Sequence, residues 1–237
     1  MSRSDYTHLA EEYDSKRFED AKGQFLARID AAILKKFMKI VCAERSNPQK
    51  VVLDMPVGTG RVLSYLGDEL INVVGCDLTS SMLKIAQSKQ RENCVGLVQG
   101  DGTRLPFEHN TFDCIVSLRF FHLFASEDRK IFIPELTRVL KPGGFILCSF
   151  TNGWYGFGLN WIRRLRGKFT VHFLANGEVP LLFPNYQVRQ LHGNYLPLQS
   201  SLVAAFGKVV EEAGLAVTGS FPFNKVCFER YYLLQKL

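Results

Sequence analysis

The chain has 237 residues, of which 46% are hydrophobic and 22% are charged. These proportions are typical of a soluble globular protein, and the length fits one α/β domain with additions. The net charge of +6 is too small to indicate a nucleic-acid surface by itself, and no apolar run of about 18 residues predicts a transmembrane helix.

The histidines and cysteines of the sequence bear on metal binding and on cellular location. The five histidines lack metal-ligand spacing, so we predict no metal site. The six cysteines form no C-x-x-C pair, and the N-terminal residues lack a signal-peptide core. Both observations favour a reducing, cytoplasmic location.

Two helices are predicted at the start of the chain. Residues 1–20 place Tyr13 and Arg17 on one helical face. A second helix is predicted over about 21–45, since apolar residues recur at helical spacing, namely Phe25, Ile29, Ile33, Phe37 and Ile40. We expect these helices, residues 1–46, to form a cap before the core.

A strand, a glycine loop and a helix are predicted over residues 50–71. The apolar run 51–53 predicts a short buried strand, Gly58 and Gly60 lie in the turn after it, and a helix is predicted from Gly60 to about 71. Glycines allow a ligand to approach bare backbone, and a helix start offers free N–H groups to a carboxylate or phosphate. This pattern is typical of a nucleotide-binding βα unit.

Three aspartates follow successive predicted strands. Asp54, Asp77 and Asp101 each lie at or just past a strand's carboxyl end. In an open parallel sheet these ends line one crevice, where ligands bind. Asp77 suits the two hydroxyls of a ribose, and Asp101 suits an adenine amino group. The alternative for Asp101 is a turn aspartate before Gly102.

The remaining core elements follow in order. Strands are predicted over about 72–76, 95–99, 112–118, 145–151, 215–221 and 226–234, and helices from about 79 and over 199–213. Ser126 is expected to cap a further helix, and Pro134 to kink it. The sequence Pro142-Gly143-Gly144 predicts a tight stop before the fifth strand.

Residues 152–198 break this pattern. The segment combines aromatic residues, including Trp154 and Trp161, with Arg163, Arg164 and Arg166. We interpret it as a lid inserted after strand five that covers the substrate side. The open alternatives are contact with a membrane surface or lipid-like substrate and, less favoured, RNA.

These motifs, in this order, resemble those of the class I S-adenosylmethionine (SAM) dependent methyltransferases, and most closely the group related to ubiquinone and menaquinone biosynthesis. The resembling pieces are Leu53-Asp54 with Gly58-Thr59-Gly60, Gly75-Cys76-Asp77-Leu78 with Met82, Gly100-Asp101-Gly102 with Leu105-Pro106-Phe107, Phe112-Asp113 with Ile115, and Arg138-Val139-Leu140-Lys141-Pro142-Gly143-Gly144. The resemblance implies a Rossmann-like α/β sheet of seven strands in the order 3-2-1-4-5-7-6, with strand seven antiparallel. It implies one methyltransferase domain, with a cap (1–46), a core (47–151 and 199–237) and a lid (152–198).

The resemblance also implies SAM as cofactor. The residues expected at the SAM site are Tyr13, Asp54, Pro56, Gly58, Gly60, Asp77, Leu78, Met82, Asp101, Gly102, Thr103 and Ser117. Pro56 stands where the family usually has glycine, and it has no N–H to donate. A nicotinamide cofactor is disfavoured, because Leu63 occupies the third small position of a Gly-x-Gly-x-x-Gly loop.

The end of strand four carries the candidate catalytic residue. Methyl transfer is an in-line displacement, and a hydroxyl or ammonium acceptor must also lose a proton. His122 is the candidate base, since imidazole titrates near neutrality; the alternative is a packing histidine. Arg119 is expected to pair with an anionic substrate, with the SAM carboxylate or with a structural carboxylate. Arg61 opposes the dipole of the predicted helix, which indicates a nearby carboxylate or a solvated side chain.

The expected function is methyl transfer from SAM to oxygen or nitrogen of a small molecule. The residues expected to contact substrate are Arg17, Arg119, His122, Trp154 and Trp161. The alternatives are carbon methylation of a quinone-like or lipid-like substrate, and a non-catalytic SAM-fold binding subunit. The intact set of Asp54, Gly58, Gly60 and Asp77 favours an enzyme.

Overall fold

The structure is a computed structural model that describes residues 21–44, 49–66, 71–153, 172–175, 177–194, 216–218 and 227–237. The helices are α1 (Ala21–Glu44), α2 (Ser80–Ser88), α3 (Ser126–Arg129), α4 (Ile133–Val139) and α5 (Glu178–Leu182), with a 3-10 turn at Phe121–Leu123. The strands are β1 (Lys50–Asp54), β2 (Ile71–Asp77), β3 (Cys94–Gln99), β4 (Phe112–Ser117), β5 (Leu140–Thr151), β6 (Tyr186–Gly193) and β7 (Glu229–Lys236).

The seven strands form one sheet in the order β3-β2-β1-β4-β5-β7-β6. The first five pair in parallel, and β7 runs antiparallel to both β5 and β6. This is the predicted order, with the predicted antiparallel strand. Apolar clusters cover both faces of the sheet, as a parallel sheet requires.

The long helix α1 packs on one face of the sheet. Its bounds agree with those of the predicted second helix. Its apolar side chains are buried in the hydrophobic cluster on that face of the sheet, among them Phe25, Ile29, Ile33 and Phe37. Burial of each such side chain contributes about 1.5–3 kcal/mol. The same helix brings Asp30, which is 1% exposed, against the sheet.

The prediction of a helix after β1 is wrong for the residues that the structure describes in this region. Residues 58–65 form consecutive turns, because Gly58 and Gly60 have φ of +53° and +79°, outside the helical region. Ser64 and Tyr65 donate their N–H groups to carbonyls three residues back, and Leu66 donates four residues back, to Val62. The loop therefore has no regular helix start within the described residues.

The second correction concerns the sixth strand of the sheet. We expected a strand at 215–221, but residues 216–218 are helical, and β6 lies at Tyr186–Gly193 instead. The C-terminal part of the predicted 152–198 lid is therefore a strand paired with β7. The bulk of that segment, 154–171, and the helix predicted over 199–213 lie outside the described residues.

Smaller corrections concern the segment between β4 and β5. Ser126 is the first residue of α3 rather than its cap, and Pro134 lies in the first turn of a separate helix, α4, where no N–H is required. The sequence 142–144 is not a stop but an irregularity inside β5, where the register with β4 shifts and Gly143 adopts a φ of +66°.

Among the described residues, no helix is both long and apolar enough to span a membrane. The same residues contain no cluster of three His, Cys, Asp or Glu side chains that could hold a metal ion.

Candidate active site

A cavity of about 720 Å³ opens at the carboxyl ends of the parallel strands. This volume lies in the range of small-molecule sites. Its polar side is formed by the glycine loop, the residues after β2 and β3, and two arginines, Arg61 and Arg119. Its apolar side is formed by Leu118, Phe120, Leu123, Phe124, Ile131 and Phe132.

The glycine loop disfavours side chains at its two glycine positions. A Cβ added at Gly60 would approach the Cα atom of Ala86 to 2.9 Å, and both glycines have positive φ. The loop N–H groups are largely used internally: Val57 donates to the Cys76 carbonyl at 2.8 Å and Gly60 to the Val57 carbonyl at 3.0 Å. The expectation that a helix start presents free N–H groups to a ligand is therefore wrong for these two groups.

Pro56 lines the cavity and follows a cis peptide bond. It has no N–H group, so its contribution to a ligand is limited to its carbonyl and ring. Gly58 also lines the cavity, whereas Gly60 lies behind it.

Asp77 holds the glycine loop and faces the cavity. Its Oδ2 accepts the Gly58 N–H at 2.8 Å, and its Oδ1 accepts the Thr79 N–H at 2.9 Å. Burial raises the pKa of this carboxyl, and the bonds from Thr79 and Gly58 oppose that rise. Asp77, the residue predicted to bind the ribose, thus also connects β2 to the glycine loop.

Asp101 forms the turn that its sequence suggested, and it also lines the cavity. Its Oδ1 accepts both the N–H and the hydroxyl of Thr103 at 2.9 Å. Gly102 and Thr103 line the cavity beside it, together with Leu78 and Met82. The predicted adenine-side residues are therefore brought together.

Asp54 and Ser117 lie behind the cavity rather than on its surface. Asp54 is 1% exposed, and neither of its carboxylate oxygens has a hydrogen-bond partner among the described residues. Burial raises its pKa well above the usual 3.8, although the Arg61 charge opposes that rise. The Ser117 hydroxyl is likewise buried without a partner in the described structure.

We expect Asp54→Asn to stabilise the ligand-free protein increasingly as pH rises. The raised pKa means that the folded protein retains a proton that the unfolded chain loses above about pH 4, so this group makes stability fall with rising pH, by at most about 1.4 kcal/mol per pH unit. Asparagine does not titrate, so the difference in melting temperature, variant minus wild type, should grow between about pH 5 and pH 8.

The control for this experiment is Asp113→Asn. Asp113 is equally buried but is paired with Lys141 at 2.8 Å, so its loss should lower the melting temperature. A wild type that gains stability over the asparagine variant as pH rises would contradict the assignment of Asp54 as an uncompensated buried carboxyl.

Arg119 is engaged by structural carboxylates. Its Nη2 lies 2.9 Å from Asp30 Oδ2, and its Nε lies 3.7 Å from Glu229. Burial opposes its charge, but Asp30 and Glu229 outweigh burial and raise its pKa. Arg61 Nη1 also lies 2.9 Å from Asp30 Oδ2, so Arg61 has a carboxylate partner although the predicted helix that suggested one is not observed in the described residues.

His122 lies in the 3-10 turn, is buried, and lines the cavity. Its backbone carbonyl accepts the N–H of His172 at 2.9 Å, and His172 lines the same cavity. Two histidines therefore line the cavity.

A buried arginine fixes both histidine segments. Arg129 donates from Nε to the Phe121 carbonyl at 2.9 Å and from Nη2 to the His172 carbonyl at 2.8 Å, and it forms an ion pair with Glu178. Glu178 in turn accepts the Ala175 N–H. We call Arg129 and Glu178 the buried clamp; it ties the turn that carries His122 to the chain that returns at residue 172.

Thiol chemistry is disfavoured in the cavity. Among the described residues that line the cavity, the cysteine is Cys76. Burial raises the pKa of this thiol to about 12. The thiolate is therefore negligible at neutral pH.

The other predicted site residues lie outside the described residues: Tyr13, Arg17, Trp154 and Trp161. Three further residues were missed by sequence reasoning, namely Asp30, Arg129 and His172. The sequence contained one indication of Asp30, because this carboxylate lies on the otherwise apolar face of α1 that carries Ile33 and Phe37. Arg129 and His172 gave none.

The arrangement fits the predicted cofactor. The cavity wall has bare backbone at Gly58, an acid at the end of β2 and an acid after β3. Beside them lies a buried carboxylate, Asp54, whose oxygens lack partners among the described residues. The cavity's cationic and acidic groups suit a zwitterionic amino-acid end and a ribose.

Comparison with known proteins gives consistent similarities. Residues 53–148 match a family model described as a methyltransferase domain. The chain is 31% identical over 176 residues to the demethylmenaquinone methyltransferase of Bacillus licheniformis, an alignment that covers 73% of each protein. It is 34% identical over 113 residues to the enzyme of that name from Streptomyces griseus, where it spans 47% of the relative's length.

A solved structure shares the fold. The magnesium protoporphyrin IX methyltransferase from Synechocystis, solved with bound S-adenosylhomocysteine (SAH), superposes with a TM-score of 0.68 at 13% identity, over 98% of both chains.

Proposed function

The chain belongs to the class I SAM-dependent methyltransferases, and from this premise we propose that it methylates an apolar, hydroxylated ring compound. One observation carries the proposal: a single cavity joins the glycine loop, Asp77 and Asp101 to an apolar wall that contains His122. Bound SAM would supply an activated methyl group and leave as SAH.

We assign the cofactor side to the polar half of the cavity. Asp77 would accept hydrogen bonds from the ribose, since a carboxylate oxygen can accept a second bond beside the one from Gly58 or Thr79. Asp101, Leu78 and Met82 would surround the adenine.

The acceptor side is the apolar half. Phe120, Phe124 and Phe132 pack edge-to-face or tilted against one another, and a wall of this kind favours a flat apolar ring. The Bacillus licheniformis relative is named for demethylmenaquinone, which supports the alternative acceptor considered from the sequence, a quinone-like ring, over a small polar amine.

His122 would remove the proton of a ring hydroxyl. Loss of that proton raises the electron density on the oxygen and on the ring carbons beside it, so either atom could attack the methyl group. The buried apolar surroundings exclude water from the reacting atoms.

The test is methyl transfer to defined acceptors. We expect labelled SAM to methylate 1,4-naphthalenediol and its alkylated derivatives at least tenfold faster than histamine or a simple phenol, since a larger apolar ring buries more surface. Mass spectrometry with NMR of the product distinguishes carbon from oxygen methylation.

Two failures would have different meanings. Transfer confined to amines would contradict the acceptor class and leave the cofactor assignment intact. Absence of SAM and SAH binding by calorimetry would contradict the cofactor assignment itself.

A further inference from the structure

We propose that Asp30 is a positioning residue that holds Arg61 and Arg119 at the cavity wall to bind the amino-acid carboxylate of the cofactor. The inference rests on the proposed function, because it deepens the description of the SAM site. Asp30 does not line the cavity, so it would act only through the two arginines.

Four elements of the fold meet at the Asp30 carboxylate. Asp30 comes from α1, Arg61 from the glycine loop and Arg119 from the residues after β4, and Tyr231 of β7 donates its hydroxyl to Asp30. Burial, then Asp30, raises the pKa of the Tyr231 hydroxyl, which therefore stays a donor. Asp30 is thus the common acceptor of three donors.

Arg119 is held in a fixed position. Its backbone has a φ of +56°, a conformation that non-glycine residues rarely adopt. Its N–H donates to the Ser149 hydroxyl at 2.8 Å, and that hydroxyl donates to Glu229 at 2.6 Å. Backbone and side chain are therefore both anchored, and the surrounding contacts maintain an unfavourable conformation.

The location of the two arginines suits a ligand carboxylate. Both line the cavity, Arg61 just past Gly58 and Arg119 at the end of the neighbouring strand β4. A guanidinium has five N–H donors and can bind two carboxylates at once, so a pair that shares Asp30 can still receive a ligand carboxylate. Charge-assisted bonds of this kind are stronger than neutral ones.

The consequence is a division of labour within the cofactor site. Asp77 and Asp101 would bind the nucleoside, which both SAH and 5′-methylthioadenosine contain. The arginines held by Asp30 would bind the amino-acid carboxylate, which SAH has and 5′-methylthioadenosine lacks. The two ligands therefore separate this arrangement from a general contribution of Asp30 to the fold.

The experiment is calorimetric binding of both ligands to Asp30→Asn. We expect the Kd for SAH to rise at least tenfold, while the Kd for 5′-methylthioadenosine changes less than twofold. Arg61→Gln, at a less buried position, should reproduce the selective loss if Asp30→Asn does not fold, and Arg61→Lys should restore part of it. Asp113→Asn is the matched control: it removes a paired buried carboxylate near the amino-terminal end of β4, away from the cavity, and should leave the ratio of the two Kd values unchanged.

Equal losses for both ligands would show that Asp30 is only structural, and unchanged SAH binding would also overturn the proposal. A wild type that binds both ligands equally would overturn it while leaving the nucleoside site intact. A wild type that binds neither would overturn the proposed function as well.

Discussion

Replacing Asp77 with alanine should raise the Kd for SAH by about 10- to 150-fold, which corresponds to about 1.5–3 kcal/mol for a lost pair of hydrogen bonds to a charged group. Two effects combine. The ribose would lose its acceptor, and the Gly58 and Thr79 N–H groups would lose theirs, so the glycine loop would also be less well ordered. Isothermal titration calorimetry with SAH measures the effect.

Asp77→Asn separates these two effects. The amide oxygen can still accept one of the two backbone N–H groups, but the residue loses its charge and one acceptor. We expect an intermediate affinity and a melting temperature nearer to the wild type than that of the alanine variant. Wild-type affinity in both variants would exclude Asp77 from the cofactor site.

Replacing His122 with alanine should lower kcat by about 100-fold or more, since removal of a general base typically costs 10²–10⁴-fold. The Kd for SAH should change less than about threefold, because His122 lies on the apolar side of the cavity. Steady-state methylation of 1,4-naphthalenediol at saturating SAM, between about pH 6 and pH 9, measures the loss over a range that starts near the ordinary pKa of imidazole.

His109→Ala is the control for this change. His109 is exposed in the turn before β4 and does not line the cavity, so its loss should leave kcat unaltered. If the His122 variant keeps wild-type turnover over the whole pH range, His122 is not the base. His172, the second imidazole in the wall, would then be the residue to replace.

The strands β1, β2, β4 and β5 were predictable because each contains a largely buried apolar run ended by a turn or an acid. In β3 only Cys94 is fully buried, and its prediction rested on the short apolar run itself. The edge strand β6 was not predictable, since only its last two residues are fully buried and Gln187, Val188 and Arg189 are exposed. Such a strand lacks both the continuous apolar run and the alternation that sequence reasoning uses. Its partner β7 is buried along most of its length and was predicted within about three residues.

The residues of the site differ in the same way: some are indicated by the local sequence, and others are defined only by contacts between distant segments. Asp77 and Gly58 carry local signals, a strand end and a turn, and the structure brings both to the cavity. The joint dependence of Arg61 and Arg119 on Asp30 is set by tertiary packing across 31 and 89 residues of sequence. No local pattern encodes such a pairing.

The buried clamp has an evolutionary consequence. Arg129 and Glu178 are 49 residues apart in sequence, and loss of either one alone would leave a buried charge unpaired, at a cost of about 3–5 kcal/mol. Replacement of both by apolar residues of similar volume leaves no unpaired charge, although the Phe121 and His172 carbonyls would lose the donor that Arg129 provides. We therefore expect the two positions to change together or not at all. Evolution from the ion pair to an apolar pair by single substitutions would pass through a poorly folding intermediate with one unpaired charge. This barrier would keep the clamp in place even in a lineage whose acceptor had changed.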